Sequence, residues 1–338
     1  MSFVSVTGHQ RLMALLARAI VSDSLPPSLL FAGPRGVGKR RVAIALAQTL
    51  NCLEPVQGDV FKTDACGHCA ACSRIGRGIH SDVLVVEPDD TGSIKIEQVR
   101  EVVDRAQYRP FEGHRRVVIV DEADAMGFPA QSALLKTLEE PPSASVFVLV
   151  SSRADSLLST VLSRCYRLRF GPLAVGEIVK MLISDHGHTE PEARALAVDA
   201  DGSLGRALAA DTVAVAEARS DSQKLLVEVA RESNPTKRLA AMKTFLGGKS
   251  TPAHEQREHL SVRLRALSSL LRDLDVLSAG ADPQILANTD LSAELGQLAR
   301  AYDNDRSTRA FGIVDRALRA LERKASPKNV AAWLVLRI

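Results

Sequence analysis

Apolar residues come in short runs over the first half of the chain and in helical stripes over the second. Runs at 29–32 (LLFA), 83–86 (VLVV), 117–120 (VVIV), 146–150 (VFVLV) and 166–170 (YRLRF) predict five strands. Between them the apolar period lengthens to about 3.6 residues, for example around 41–50 and 94–107, which predicts intervening helices. Near-continuous apolar strands separated by helices predict a parallel sheet covered on both faces. After Pro172 the strand pattern stops. Helices are expected at 174–186 and 190–200, and Gly202 and Gly205 break the next connection. Farther on, Leu260, Leu264, Leu267, Leu271 and Leu274 fall at helical spacing, as do Phe311, Val314, Leu318 and Leu321. Both stripes read as helix–helix seams, with breaks expected at 233–236 (SNPT), 247–252 (GGKSTP) and 279–283 (AGADP). The expected class is α/β plus all-α.

Composition narrows the function classes. The 338 residues are 46% hydrophobic and 25% charged, an ordinary globular balance. No apolar run is long enough to span a bilayer, and the start, MSFVSVTGHQRLMALL, lacks the apolar core of a signal peptide. A cytosolic protein without membrane attachment is expected. The 43 basic and 40 acidic residues nearly cancel, so the molecule as a whole does not attract DNA electrostatically. Residues 1–50 carry six basic against one acidic side chain, which makes either a local basic surface or a solvated face. An aromatic content of 4% argues against base-stacking platforms.

The first chemical motif is GPRGVGKRR, residues 33–41, placed between a predicted strand and a predicted helix. In that setting the backbone N–H groups of Gly33, Gly36 and Gly38 and the helix N-terminus form an anion cradle, and Lys39 reaches the β/γ-phosphates. Arg40 stands where a Ser or Thr hydroxyl would hold Mg²⁺, and a guanidinium cannot ligate a cation. The second motif, VVIVDEADAM (117–126), ends a strand in acids. In a P-loop protein Asp121 would hold Mg²⁺ through water, and Glu122 would orient or deprotonate the attacking water. These residues alone leave three outcomes open: hydrolysis that tolerates Arg40, ATP or ADP bound without cleavage, and a loop that has lost nucleotide.

Cys52, Cys66, Cys69 and Cys72 are spaced C-x13-C-x2-C-x2-C. The tight part turns three thiolates toward one point, and Cys52 can close a tetrahedron around a structural zinc ion. Free thiols and an iron–sulfur cluster are the alternatives, and His68 is a substitute ligand within the same loop. The stretch 52–80 sets Lys62, Arg74 and Arg77 against Glu54, Asp59 and Asp64, a balance that argues against a DNA-reading ribbon. Two further stretches are distinctive: ALLKTLEEPP (133–142), an amphipathic helix with Leu134, Leu135 and Leu138 on its apolar side, and LSRC (162–165) with Ser163 and Arg164.

Together these motifs resemble the bacterial DNA polymerase III clamp-loader family. The resemblance covers most of residues 1–210 and, beyond them, extends only to length and helical character. It implies a RecA-like AAA+ domain at 1–172 with a zinc module at about 52–80, a small helical lid at 173–215, and a helical collar at 216–338 that holds subunits in a ring. Motor members, gamma or tau, hydrolyse ATP. The delta-prime branch keeps the zinc module and the SRC arginine, often with a degenerate P-loop, and serves as a stator.

The chain resembles that branch. The resemblance implies that Arg164 is an arginine finger acting in trans, that Ser151 or Ser152 occupies the sensing position, and that 338 residues leave no room for tau's extension. It also implies gamma/tau and delta subunits, the sliding clamp and primer–template DNA as partners. Motor subunits read GSLRDA where this chain has Gly202-Ser203-Leu204-Gly205-Arg206. The arginine is displaced by one residue, about 100° around a helix, which weakens any contact to a γ-phosphate.

Overall fold

The computed structural model of the chain describes residues 2–232, 234–246, 253–282, 286–299, 302, 304–323 and 325–338. It divides into two compact units, Met1–Ile178 with Gly202–Gly205, and Val179–Asp201 with Arg206–Ile338.

The first unit is built on five strands: β1 Ser28–Ala32, β2 Val83–Val86, β3 Arg116–Val120, β4 Ser145–Ser151 and β5 Tyr166–Arg169. All five expected runs are strands, shifted by a residue or two at their ends. They pair in parallel in the order β2-β3-β4-β1-β5. Alternate strand residues serve opposite faces. On one face Leu29, Phe31, Ile119 and Val148 pack with Met13 and Leu16 of α1 (Gln10–Val21) and with Val42 and Leu46 of α2 (Lys39–Asn51). After α3 (Ala70–Gly76) come the helices of the other face. There Leu30, Val118, Phe147 and Leu149 meet Val99 and Val102 of α4 (Ile96–Ala106) and Leu134 and Leu138 of α5 (Phe128–Glu139). Burying each such side chain contributes about 1.5–3 kcal/mol, so the sheet is a rigid platform. Its strands end, at their carboxyl edge, in the loops that carry the chemistry.

Local signals fix where the helices of this platform begin and end. Gly38, with φ +101°, turns the chain into α2. Pro129 sits in the first turn of α5, where its missing N–H has no partner to lose, and Pro141-Pro142 follow the helix's end. Helix α5 therefore begins five residues earlier than ALLKTLEEPP. Leu134 and Leu138 are buried as expected, while Leu135 is half-buried. A short helix, α6 (Ser159–Leu162), precedes β5.

The rest of the chain is helical, as expected: α7 Val175–His186, α8 Glu190–Asp199, α9 Leu204–Ala209, α10 Thr212–Arg231, α11 Pro235–Leu246, α12 Ala253–Ser278, α13 Ser292–Leu298, α14 Asn304–Glu322 and α15 Pro327–Arg337. The leucine stripe of α12 is fully buried in the core of the second unit. The stripe of α14 needs correction. Val314 and Leu321 are buried, but Phe311 is 38% exposed and Leu318 half-buried. The inward face runs through Ala310, Ile313, Val314 and Ala317, because small alanines allow closer helix approach than the larger Phe311 would. The predicted break at 247–252 lies outside the described residues, as do Ser233 and Pro283 of the other two. Helix α12 ends beside Gly280, whose φ of +70° stops it. No helix among the described residues is long and apolar enough to cross a membrane.

Candidate nucleotide site and metal centre

The P-loop leaves β1 at Gly33, whose N–H donates to the Ser151 carbonyl at 3.2 Å. A Cβ at Gly33 would stand 2.1 Å from the Phe170 carbonyl oxygen, so glycine is required by close approach. Gly36 and Gly38 both have positive φ, and Gly38 opens α2. Lys39 is the first helical residue and is 6% exposed. Its Nζ donates to the Gly33 and Pro34 carbonyls at 2.7 and 2.6 Å. Burial pushes its pKa below the usual lysine value, against the upward pull of Asp121 and Asp124.

The acids of the motif after β3 stand beside this loop, and arginines hold them. Arg40 Nη1 lies 3.1 Å from Asp121 Oδ2, and the same guanidinium pairs with Glu87, just past the end of β2. Arg35, inside the loop, pairs with Glu122. Asp121 is pushed above the ordinary carboxylate range by burial, with Arg40 opposing the shift. Glu122 adopts a left-handed backbone, φ 47°. Asp124 accepts from Ser151 Oγ at 2.9 Å, from the Ser152 N–H at 3.0 Å and from Arg153 Nε at 3.3 Å. Burial alone would raise its carboxyl, but these donors outweigh it and hold the group below its usual range. The expected sensing position is thus occupied by Ser151 and Ser152, both hydrogen-bonded to Asp124.

A divalent metal does not fit here as it would in a hydrolysing P-loop. The position that supplies a hydroxyl instead supplies a guanidinium, and that guanidinium already occupies Asp121 and Glu87. The loop is also closed from another side. Gly205 donates its N–H to the Gly36 carbonyl at 2.9 Å, and a Cβ at 205 would approach Gly36 Cα to 3.2 Å. The glycine that replaces the motor subunits' arginine permits this backbone contact.

The four cysteines converge. Their Sγ atoms all lie within 4.8 Å of one another, with Cys52 and Cys69 4.0 Å apart. Backbone N–H groups point at the sulfurs: Cys66 to Cys52 at 3.2 Å, Cys69 to Cys66 at 3.3 Å and Cys72 to Cys69 at 3.5 Å. Burial opposes charge on Cys69, yet the N–H groups of Cys72 and Leu53 and the neighbouring thiols bring its pKa down to about 6. Four sulfurs in one cluster with backbone donors fit a closed tetrahedral zinc site, whose ion would tie the end of α2 to α3. His68 lies with Glu54 and Cys66 in an outer group rather than among the four sulfurs. Cys165 is a separate core thiol, its pKa pushed up to about 12 by burial.

Arg164 lies apart from its own chain's nucleotide loop. It pairs with Glu139 at 3.1 Å, at the C-terminal end of α5, and donates to the Thr160 carbonyl at 3.1 Å. Helix α5 has 12 residues, about 18 Å of rise, and its other end follows the Asp121–Met126 motif. Ser163 is exposed and donates to the same Thr160 carbonyl at 3.1 Å. The structure therefore gathers Gly33, Gly36, Gly38, Lys39, Arg40, Asp121 and Glu122 in one site and leaves Ser163 and Arg164 outside it.

Sequence reasoning missed Glu87, Arg35, Asp124 and Glu139. Glu87 was signalled by its place: an acid just past the carboxyl end of a buried strand, like Asp121. Arg35 sat in plain view within the loop.

Comparison with known proteins agrees with this geometry. The family model described as DNA polymerase III, delta subunit, matches residues 8–174. DNA polymerase III subunit delta' of Bacillus subtilis is 29% identical over 336 residues, covering 97% of this chain and 95% of that protein. The chain belongs to the DNA polymerase III clamp-loader family. DNA polymerase III subunit tau of Salmonella typhimurium is 34% identical over 220 residues, 64% of this chain; the chain spans 33% of that relative. A solved gamma-subunit-related protein of Thermotoga maritima aligns over 96% of this clamp-loader chain and 99% of its own, at 19% identity and a TM-score of 0.41.

Proposed function

We propose that this chain is a non-hydrolysing, delta-prime-like stator of the clamp loader. In this reading it assembles in the cytoplasm with gamma/tau and delta subunits and helps load the sliding clamp onto primer–template DNA. Arg164 completes the ATP site of a neighbouring motor subunit. Residues 173–215 form the lid and 216–338 the collar, and zinc is a structural ion of the module at 52–80.

The observation that carries the reading is the pairing of both acids that hydrolysis needs. Asp121, the metal's carboxylate, is held by Arg40, and Glu122, the water's carboxylate, by Arg35. A site in this state has neither a place for the cation nor a free base. The full-length match to delta' supports the same branch, whereas the tau relative matches over a third of its own length. Gly205 in place of the motor arginine adds to it.

The alternative, an active gamma/tau-like ATPase, rests on the retention of Asp121 and Glu122 and on the 34% identity to tau. A reconstituted loader tests the proposal. Arg164→Ala should slow DNA-stimulated hydrolysis at the adjoining motor site by about 10³-fold, the effect of removing a trans-acting arginine. Unchanged hydrolysis and unchanged clamp loading would sink it.

A further inference from the structure

Each carboxylate around the P-loop already has an arginine. Arg40 takes Glu87 and Asp121, Arg35 takes Glu122, and Arg153 takes Asp124. Lys39 is placed differently. Its buried ammonium meets the neutral carbonyls of Gly33 and Pro34, and among the described residues no carboxylate pairs with it. In the same loop the backbone N–H groups of residues 36–41 donate to no protein acceptor among the described residues. A buried cation without a counter-ion, next to a row of unclaimed N–H donors, is the unfinished half of an anion site. The other half of an ordinary P-loop site, the metal's ligands, is finished, because a guanidinium fills it.

We infer that this loop binds the phosphates of a nucleoside di- or triphosphate, or pyrophosphate itself, without a divalent metal, with Arg40 supplying the positive charge that the metal otherwise brings. The inference rests on the non-hydrolysing reading and extends it to the ligand. Arg40 and Arg35 are half and three-quarters exposed, and ion pairs in water are weak, so both can turn from carboxylate to phosphate at little cost. Arginine also matches phosphate oxygens in two-pronged geometry, which a hydrated metal does not need to do. Lys39 is held back by its burial, and an anion would restore its charge.

Calorimetric titration of the full chain with ADP and, in parallel, with pyrophosphate, each in Mg²⁺ and in EDTA, tests the inference. Binding is expected with dissociation constants that agree within about two-fold between the two buffers, and Lys39→Ala should weaken it at least about ten-fold. Arg40→Ser returns the metal's hydroxyl. It should make binding about ten-fold tighter in Mg²⁺ than in EDTA. Binding of both ligands assigns recognition to the phosphates, and binding of ADP alone adds the nucleoside; either supports a metal-free site. No heat from either ligand with the folded wild-type chain, or wild-type binding weakened ten-fold by EDTA, overturns it. Failure of the non-hydrolysing reading would be separate, seen as Mg²⁺-dependent phosphate release from ATP.

Discussion

Asp82→Ala is a direct test of what holds the platform behind the site. Asp82 precedes β2, is fully buried, and accepts from the N–H groups of Phe111, Glu112 and Gly113, each at 2.8 Å, and from Arg116 Nη2 at 2.7 Å. Arg116 opens β3 and is itself 7% exposed, with further bonds to the Tyr108 and Arg109 carbonyls at 3.2 Å. One carboxylate thus ties the 107–113 loop to the strand that ends in Asp121. Burial works against its charge, but Arg116 and the three N–H groups prevail and hold the carboxyl well below the usual range. A depressed carboxyl stabilises the fold above the ordinary carboxylate pKa, and that contribution fades as pH falls below about 4.

Removing the carboxylate strands a buried guanidinium, a loss of about 3–5 kcal/mol. The loop it anchors is exposed, with Phe111 and Tyr108 in solvent, so water re-satisfies the freed N–H groups and the lower figure applies. For a unit of this size about 3 kcal/mol corresponds to a fall of roughly 6–12 °C in Tm. Scanning calorimetry at pH 7 should show that fall, with a smaller one for Asp82→Ala combined with Arg116→Met, which removes the stranded charge. At pH 3 the gap between wild type and Asp82→Ala should narrow. A shift under about 3 °C at pH 7 would refute the reasoning.

Other outcomes follow from the same geometry. Elemental analysis of chain purified without chelator should find zinc bound, and Cys69→Ser should lose it together with the order of the 52–76 segment; full metal retention in that variant would remove Cys69 from the ligand set. Gly33→Ala should destabilise by about 1–3 kcal/mol, read in the same calorimeter, since its Cβ would meet backbone at Phe170 that cannot rotate away. A neutral effect would show that β5 yields more easily than the packing implies.

Much of this molecule can be read from its sequence where one residue type has one physical use. Five apolar runs can only be buried strands at that length and spacing, and four cysteines spaced C-x13-C-x2-C-x2-C converge because the short intervals leave them little choice. The pairs that define the site are less legible. Nothing local says that Arg40 reaches both Glu87 and Asp121, residues 47 and 81 positions away, because sheet order brings them together. The same holds for Glu139 and Arg164, which meet because α5 and α6 pack on one face of the sheet. The α14 stripe shows a different failure. Two helical registers fit its large residues, and the alanines that decide between them carry little hydrophobic signal.

The central claim is that Arg35 and Arg40 have silenced this P-loop. Phosphate release from ATP by the purified chain, with Mg²⁺ and with Lys39→Ala as the control for contaminating ATPase, tests it most directly. The account predicts the same background rate for wild type and Lys39→Ala. Mg²⁺-dependent turnover in the wild type that disappears in Lys39→Ala would contradict it.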